Sequence, residues 1–237
     1  MKIKIIFSIL ICASFITIQS CKKEKTATTN TAAPTVTKDT IPPVVTILGN
    51  ATVTIALGSI YNDAGATATD NKDGVLTSSI VSNVSSTNPN IYKSGTYTIT
   101  YTVSDAAGNT GTATRTVNVV ITSAYLQGHY NVTDATDMTI TYIDILTPSA
   151  TTATNIYVGQ FAAYSGASIY FTLSGACGLT VTIPQQSIVC GSDHLNRTFT
   201  GTGTVSTDGA TITINYTEVD GTTAITGTET YTNKTKK

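Results

Sequence analysis

Beyond residue 41 the chain alternates apolar and polar positions with a period of two. The clearest stretch is "SGTYTITYTVSDAAGNTGTATRTVNVVI", residues 94–121. Tyr97, Ile99, Tyr101 and Val103 share one face, and Thr96, Thr98, Thr100 and Thr102 share the other. That pattern predicts a half-buried strand. "DAAGNTG" supplies turn residues, and a second strand over residues 112–121 is expected to fold back as a hairpin. Earlier strands are predicted at residues 44–48, 52–57 and 75–81, with the turn signal "DNKDG" at residues 70–74. Short strands separated by turns over about 80 residues predict a small β-sandwich for residues 41–122.

The rhythm continues through residues 123–237. Strands are predicted near residues 125–132, 138–146, 155–161, 168–173, 179–183, 198–205, 211–218 and 223–231. Ser206-Thr207-Asp208-Gly209 and Asp220-Gly221 read as hairpin turns. About eight short strands joined by tight turns predict an up-and-down antiparallel barrel or half-barrel. The fold class expected for the folded part is therefore all-β, a sandwich followed by a barrel.

The first forty residues follow another pattern. Lys2 and Lys4 precede an apolar run over residues 5–18, then Ile18-Gln19-Ser20-Cys21. The run is too short to span a bilayer core and has the form of a signal-peptide h-region. Residues 22–40 contain almost no large apolar side chain, so they cannot bury enough surface to offset their ordering entropy and read as a disordered tether. Extended, this segment reaches at most ~65 Å, and as a flexible coil roughly 25 Å.

Composition sharpens these readings. Of 237 residues, 41% are hydrophobic and only 11% charged, which excludes a charge-rich disordered chain. Threonine contributes about 50 residues, and β-branched side chains favour strands. From Ile41 onward about 7 Lys and Arg face about 12 Asp and Glu, so no basic surface is available for nucleic acid.

Several segments resemble known families. Residues 18–21 resemble a bacterial lipobox, which implies cleavage before Cys21 and lipidation of its thiol. Lys22 stands where an aspartate would resemble an inner-membrane retention signal, which implies the outer membrane. "CKKEK" is loosely similar to export tags of Bacteroidetes surface lipoproteins. Asp39-Thr40-Ile41 resembles a Bacteroidetes O-glycosylation pattern with Thr40 as acceptor, and a plain linker end is the alternative. "IPPVVTILGNATVTIALGSIYNDAGATATDNKDGVLTSSIV" together with "SGTYTITYTVSDAAGNTGTATRTVNVV" resembles the bacterial immunoglobulin-like surface domain related to hyalin repeats. That resemblance implies a spacer or adhesive module without enzymatic activity. "LTVTIPQQSIV" and "RTFTGTGTVSTDGATITINYTEVD" resemble calycin-like, that is lipocalin-like, domains of Bacteroidetes lipoproteins, whose barrels hold a small ligand or are filled by side chains.

Candidate chemistry is sparse. Asp63, Asp70, Asp73 and Asp105 have the oxygen ligands Ca²⁺ favours, but their spacing is no EF-hand, and turn capping is the expected role. Tyr157, Phe161, Tyr164, Tyr170 and Phe171 are candidates to line a ligand cavity, with core packing as the plain alternative. The absence of tryptophan argues against a sugar-stacking platform. Cys177 and Cys190 form an even pair in an oxidising compartment, which predicts a disulfide. A straight strand would separate them by ~40 Å, so the pairing requires a reversal near Pro184-Gln185-Gln186. Asp193-His194 lies beside Cys190, but a disulfide-bonded sulfur cannot act as a nucleophile, and no metalloprotease, nucleophile-elbow or phosphate-loop motif is present. The expected protein is a lipid-anchored extracytoplasmic outer-membrane protein without enzymatic activity or cofactor, with a structural, adhesion or binding role. Its expected partners are the membrane, through the lipid, and a protein or glycan at the cell surface. The alternative is a carrier of a small apolar ligand or glycan within the second barrel.

Overall fold

The computed structural model describes residues 37–136 and 139–235. Cys21, the expected leader and the expected tether up to residue 36 lie outside the described residues. Within residues 38–237 the chain forms one compact unit. No described helix is long and apolar enough to cross a membrane.

The first part is a sandwich. Its strands are β1 (Val44–Ile47), β2 (Thr52–Ala56), β3 (Ala66–Asp70), β4 (Gly74–Val75), β5 (Val81–Ser82), β6 (Gly95–Ser104) and β7 (Thr110–Val120). One sheet has the order β1-β3-β4, and the other β2-β7-β6-β5, with β2 parallel to β7. β6 and β7 form the expected hairpin, from Ser104↔Thr110 to Gly95↔Val119. Ile99, Tyr101 and Val117 are buried at the centre, with Val45, Ile47, Ile55 and Ala66 packed against them. The threonines of β6 face outward, as their parity requires.

Two details depart from expectation. The strand expected over residues 75–81 is instead β4, a short 3₁₀ turn at Thr77–Ser79, and β5. β4 and β5 belong to different sheets, so the chain crosses the sandwich there. Thr77 fixes the crossing, because its hydroxyl accepts from Ala68 N–H at 3.1 Å and the Leu76 amide donates to Ala68 O at 2.9 Å. The pattern also missed β3, where alternating Ala and Thr carry little hydrophobic contrast.

The second part begins with a single helical turn, α1 (Ser123–Leu126), where a strand was expected. Thr122 caps it, its hydroxyl accepting from Tyr125 N–H at 3.2 Å. Then follow β8 (Gly128–Ala135), β9 (Thr139–Pro148), β10 (Asn155–Phe161), β11 (Tyr164–Ser174), β12 (Thr180–Cys190), β13 (Leu195–Val205), β14 (Ile212–Asp220) and β15 (Thr223–Thr235). Each strand is antiparallel to the next, and β15 pairs with β8 to close an eight-stranded barrel. The meander is therefore fully closed rather than a half-barrel.

Connectivity gives the barrel two distinct ends. The β9–β10, β11–β12 and β13–β14 connections meet the sandwich and its short exit. Ser123 Oγ donates to Ala153 O at 2.6 Å, Ile121 N–H to Cys177 O at 2.9 Å, and Ser94 N–H to Thr207 O at 2.6 Å. Leu57, Val119 and Ile121 of the sandwich side join the same buried cluster as Leu126, Leu146, Phe171 and Ile212 of the barrel. The β10–β11, β12–β13 and β14–β15 connections lie at the opposite end.

The structure overturns the predicted disulfide. Cys177 and Cys190 are both free thiols. Pro184 and Gln185 do not reverse the chain. They form a bulge within β12, where the register to β13 shifts between Ile183 and Gln186. Proline lacks an N–H for the ladder, and a bulge tolerates that loss. The Gln186 side chain replaces the missing pairing with β11, accepting from Tyr170 N–H at 3.0 Å and donating to Tyr170 O at 2.6 Å. Cys177 precedes β12 and Cys190 ends it, so the strand holds them on the order of 30 Å apart, far beyond disulfide reach.

Candidate functional site

The interior of the barrel changes character along its length. Toward the sandwich it is aliphatic and aromatic, with Leu146, Ile156, Phe171, Val181 and Ile212 buried. Toward the opposite mouth the inward positions become charged. Asp134 follows Tyr130 and Val132 on β8, Glu218 follows Ile214 and Tyr216 on β14, Glu229 precedes Tyr231 on β15, and Arg197 precedes Phe199 on β13. Each lies on the parity of buried apolar neighbours, so the pleat points it inward.

Buried charge requires partners, and each of these has them. Glu229, with no exposed surface, accepts from the Tyr142 and Tyr231 hydroxyls and from Ala162 N–H, the latter two at 2.6 and 2.7 Å. Burial nevertheless wins over these three donors, with help from the nearby Asp134 charge, and pushes the Glu229 carboxyl up to about 8. Asp134 is raised by burial too, against the Tyr216 hydroxyl, which donates to it at 3.0 Å. Arg197 donates to Glu218 at 2.9 Å, to Cys190 O at 2.8 Å and, as a two-nitrogen fork, to Asp193 in the β12–β13 turn. Its hydrogen bonds hold Asp193 down at about 2. The guanidinium also lies 4.2 Å from the centre of the Tyr164 ring.

Above this layer is a cavity of about 240 Å³ bordered by Asp134, Ile140, Tyr164, Tyr216, Glu218 and Ile225. Ile140 and Ile225 are exposed on its rim. Ala162 and Ala163 also border it, and both have left-handed backbone angles, φ 51° and 58°. They form the two-residue β10–β11 turn, a position where glycine or asparagine is usual. The Ala162–Glu229 bond holds this turn across the mouth. Gly227 has a clear packing reason: a Cβ there would lie 2.5 Å from the Tyr216 ring. The ring that carries the hydroxyl to Asp134 occupies that space.

The five aromatic candidates fall into separate places. Tyr164 borders the cavity. Phe161 is fully buried beneath it, 5.0 Å between ring centres from Tyr216 and 5.5 Å from Phe199. Phe171 belongs to the core. Tyr157 and Tyr170 point outward as a cross-strand pair with rings 5.8 Å apart. The sequence reading missed Asp134, Tyr142, Arg197, Tyr216, Glu218 and Glu229. The signal that finds Asp134, Arg197, Glu218 and Glu229 is a charge on the apolar parity of a strand. His194 sits in the β12–β13 turn with φ 56°, and burial raises the Cys190 thiol despite Arg197, which disfavours a thiolate there.

The four aspartates of the sandwich also separate. Asp63 accepts from the Tyr61 and Tyr101 hydroxyls at 2.7 and 2.6 Å and pairs with Arg115. Burial alone would raise its carboxyl; the tyrosine hydrogen bonds and the Arg115 charge outweigh burial and hold it below its ordinary range. Arg115 is itself 1% exposed, and its Nε donates to Asn50 O at 3.1 Å. Asp73 accepts from Ala106 N–H at 2.7 Å. Asp70 and Asp105 come together with Asp39, one carboxylate oxygen from each lying within 4.8 Å of the others. Thr40 is exposed.

Residues 45–119 match the family model for the bacterial surface protein, Ig-like domain. No curated protein matches the chain. Among solved structures, the lipoprotein BT2262 from Bacteroides thetaiotaomicron is similar at 16% identity, covering 80% of this chain and 99% of that one, with a TM-score of 0.32. A structure of CBM51-2 in complex with GlcNAc and INT domains from Clostridium perfringens ZmpB is similar at 15% identity, covering 80% of this chain and 44% of that one, with a TM-score of 0.26.

Proposed function

We propose that this chain is a non-catalytic surface binding protein, tethered to the outer membrane through a lipid on Cys21. The Ig-like domain serves as its spacer, and the far mouth of the barrel as its contact site. The match of residues 45–119 to a bacterial surface domain supports an extracytoplasmic location. The observation that carries the binding role is the division of the barrel interior. Its lumen is filled by Tyr130, Phe161, Phe171, Phe199 and Tyr231, all nearly or fully buried, while Asp134, Tyr164, Tyr216 and Glu218 form the polar half of a cavity at the mouth whose apolar half is Ile140, Ile225 and the Ala162–Ala163 turn.

A filled lumen disfavours carriage of an apolar ligand, which needs a continuous apolar cavity. A cavity of about 240 Å³ suits one polar end group rather than an enclosed molecule. Carboxylates accept hydrogen bonds from hydroxyls, and the Tyr164 ring offers a face for stacking. Those groups favour a hydroxyl-rich glycan end. Glu229 is engaged by three donors and has no exposed surface, so it supports the mouth and is not placed to transfer a proton to a ligand.

The test is a glycan array probed with the full-length chain and with Tyr164→Ala and Asp134→Asn. The expected result is binding to a group of neutral-terminated glycans, weakened at least tenfold in both variants. Absence of glycan binding, or binding that neither variant weakens, would overturn the assignment. Native mass spectrometry of the chain from its host tests the filled lumen. A bare mass is expected, and an adduct lost on unfolding would establish the carrier alternative.

A further inference from the structure

We infer that the sandwich binds one Ca²⁺ ion between Asp39, Asp70 and Asp105, at the point where the tether joins the first domain. Three segments far apart in sequence converge there: the lead-in to β1, the β3–β4 turn and the β6–β7 turn. One carboxylate oxygen from each aspartate lies within 4.8 Å of the other two. Two oxygens on the same Ca²⁺ at 2.3–2.6 Å can be at most about 4.6–5.2 Å apart, so the spacing fits a shared ion.

Turn capping uses only part of these carboxylates. Asp70 Oδ1 accepts from Lys72 and Asp73 N–H at 2.8 and 2.9 Å, and Asp39 Oδ1 from Ile41 N–H at 3.1 Å. The second oxygen of each, Asp39 Oδ2 and Asp70 Oδ2, is sealed from solvent and has no hydrogen-bond partner. A buried, unpartnered carboxylate oxygen is costly, and two in one three-carboxylate cluster point to a cation. Asp105, itself 7% exposed, accepts from the Asn109 backbone and side-chain N–H groups at 2.7 and 2.6 Å. The Asn109 side chain also donates to Asp39 O at 3.2 Å, which ties the lead-in segment to the β6–β7 turn.

The donor set is all oxygen and anionic, which suits a hard divalent ion and excludes the soft ligands preferred by zinc or copper. Water would complete the six to eight oxygens of a Ca²⁺ shell. The ion would neutralise the cluster and clamp the base of the tether to both turns.

The test uses the full-length chain stripped with a chelator and titrated with CaCl₂ calorimetrically. One equivalent of Ca²⁺ is expected, together with a raised melting temperature and at least fivefold slower tryptic cleavage after Lys38. Asp70→Asn and Asp39→Asn each weaken binding at least tenfold, while Asp73→Asn, outside the cluster, retains it. Asp39 precedes the first strand, so its variant reports on the site even where Asp70→Asn fails to fold. Absence of Ca²⁺ binding at millimolar concentration, or unchanged binding in Asp39→Asn, would overturn the inference. Equal affinity for Mg²⁺, which demands a tighter octahedron, would overturn the calcium assignment.

Discussion

Replacing Glu229 with glutamine removes a pH dependence that the barrel builds into its own stability. Glu229 has an ordinary value of 4.5 and is pushed up to about 8 by complete burial. Below pH 4.5 the folded and unfolded chains both carry the proton, and its contribution to stability is fully present. Between 4.5 and 8 the unfolded chain releases a proton that the folded chain retains, so stability falls as pH rises. At 1.36 kcal/mol per pH unit the loss is about 3 kcal/mol by pH 7 and about 5 kcal/mol by pH 9. Because the side chain is fully buried, solvent screening does not reduce this figure. Glutamine keeps an oxygen to accept from Ala162 N–H and has no proton to lose. Its amide N–H needs an acceptor, as the O–H of the protonated carboxyl does, so one tyrosine hydroxyl turns to accept in either protein. The variant is therefore close to the parent in stability at pH 5 and more stable at pH 9. The assay is urea unfolding of both proteins from pH 5 to 9, read as the difference in unfolding free energy. That difference shifts by about 3–5 kcal/mol in favour of the variant across the range. Comparison with the parent cancels the slope contributed by Asp134 to the extent that the two groups act independently. A difference that stays flat within about 1 kcal/mol would show that Glu229 is ionised in the folded state and that its three donors outweigh burial.

Two further predictions test other parts of the structure. Arg115→Met leaves the Asp63 carboxylate in the sandwich without its cation, and is expected to cost about 3–5 kcal/mol in unfolding free energy. In Arg115→Met with Asp63→Asn the loss is smaller than the sum of the single losses, and strict additivity in this cycle would refute the pairing. Ala163→Gly relieves one left-handed alanine at the mouth and stabilises the chain by about 0.5–1 kcal/mol, measured by urea unfolding. A loss of stability there would show that the methyl group packs against a neighbour strongly enough to offset its backbone strain.

Much of the architecture was legible because strands advertise themselves locally. Period-two alternation in residues 94–121, Asp-Gly turns and the threonine-rich outer faces require only neighbouring residues to interpret, and β6, β7, β10, β14 and β15 appear close to where the pattern put them. β3 and the second half of β12 escaped because Ala-Thr alternation has little contrast and because Pro184 suits a bulge as well as a turn. The candidate site was less legible. Asp134, Glu218 and Glu229 have local signatures, charges on an apolar parity, but their convergence depends on how eight strands close. Tyr157 and Phe161 lie in one strand and were read together, yet the shift after Val158 accompanies an outward Tyr157 and a buried Phe161. The sequence by itself determined an all-β chain with a sandwich followed by a meander, because backbone periodicity and turn chemistry act over a few residues. Only the tertiary structure decided that the meander closes, that Cys177 and Cys190 stand at opposite ends of one strand, and that Asp39, Asp70 and Asp105 meet. Such distances between remote residues are set by register and closure, which no short stretch of sequence encodes.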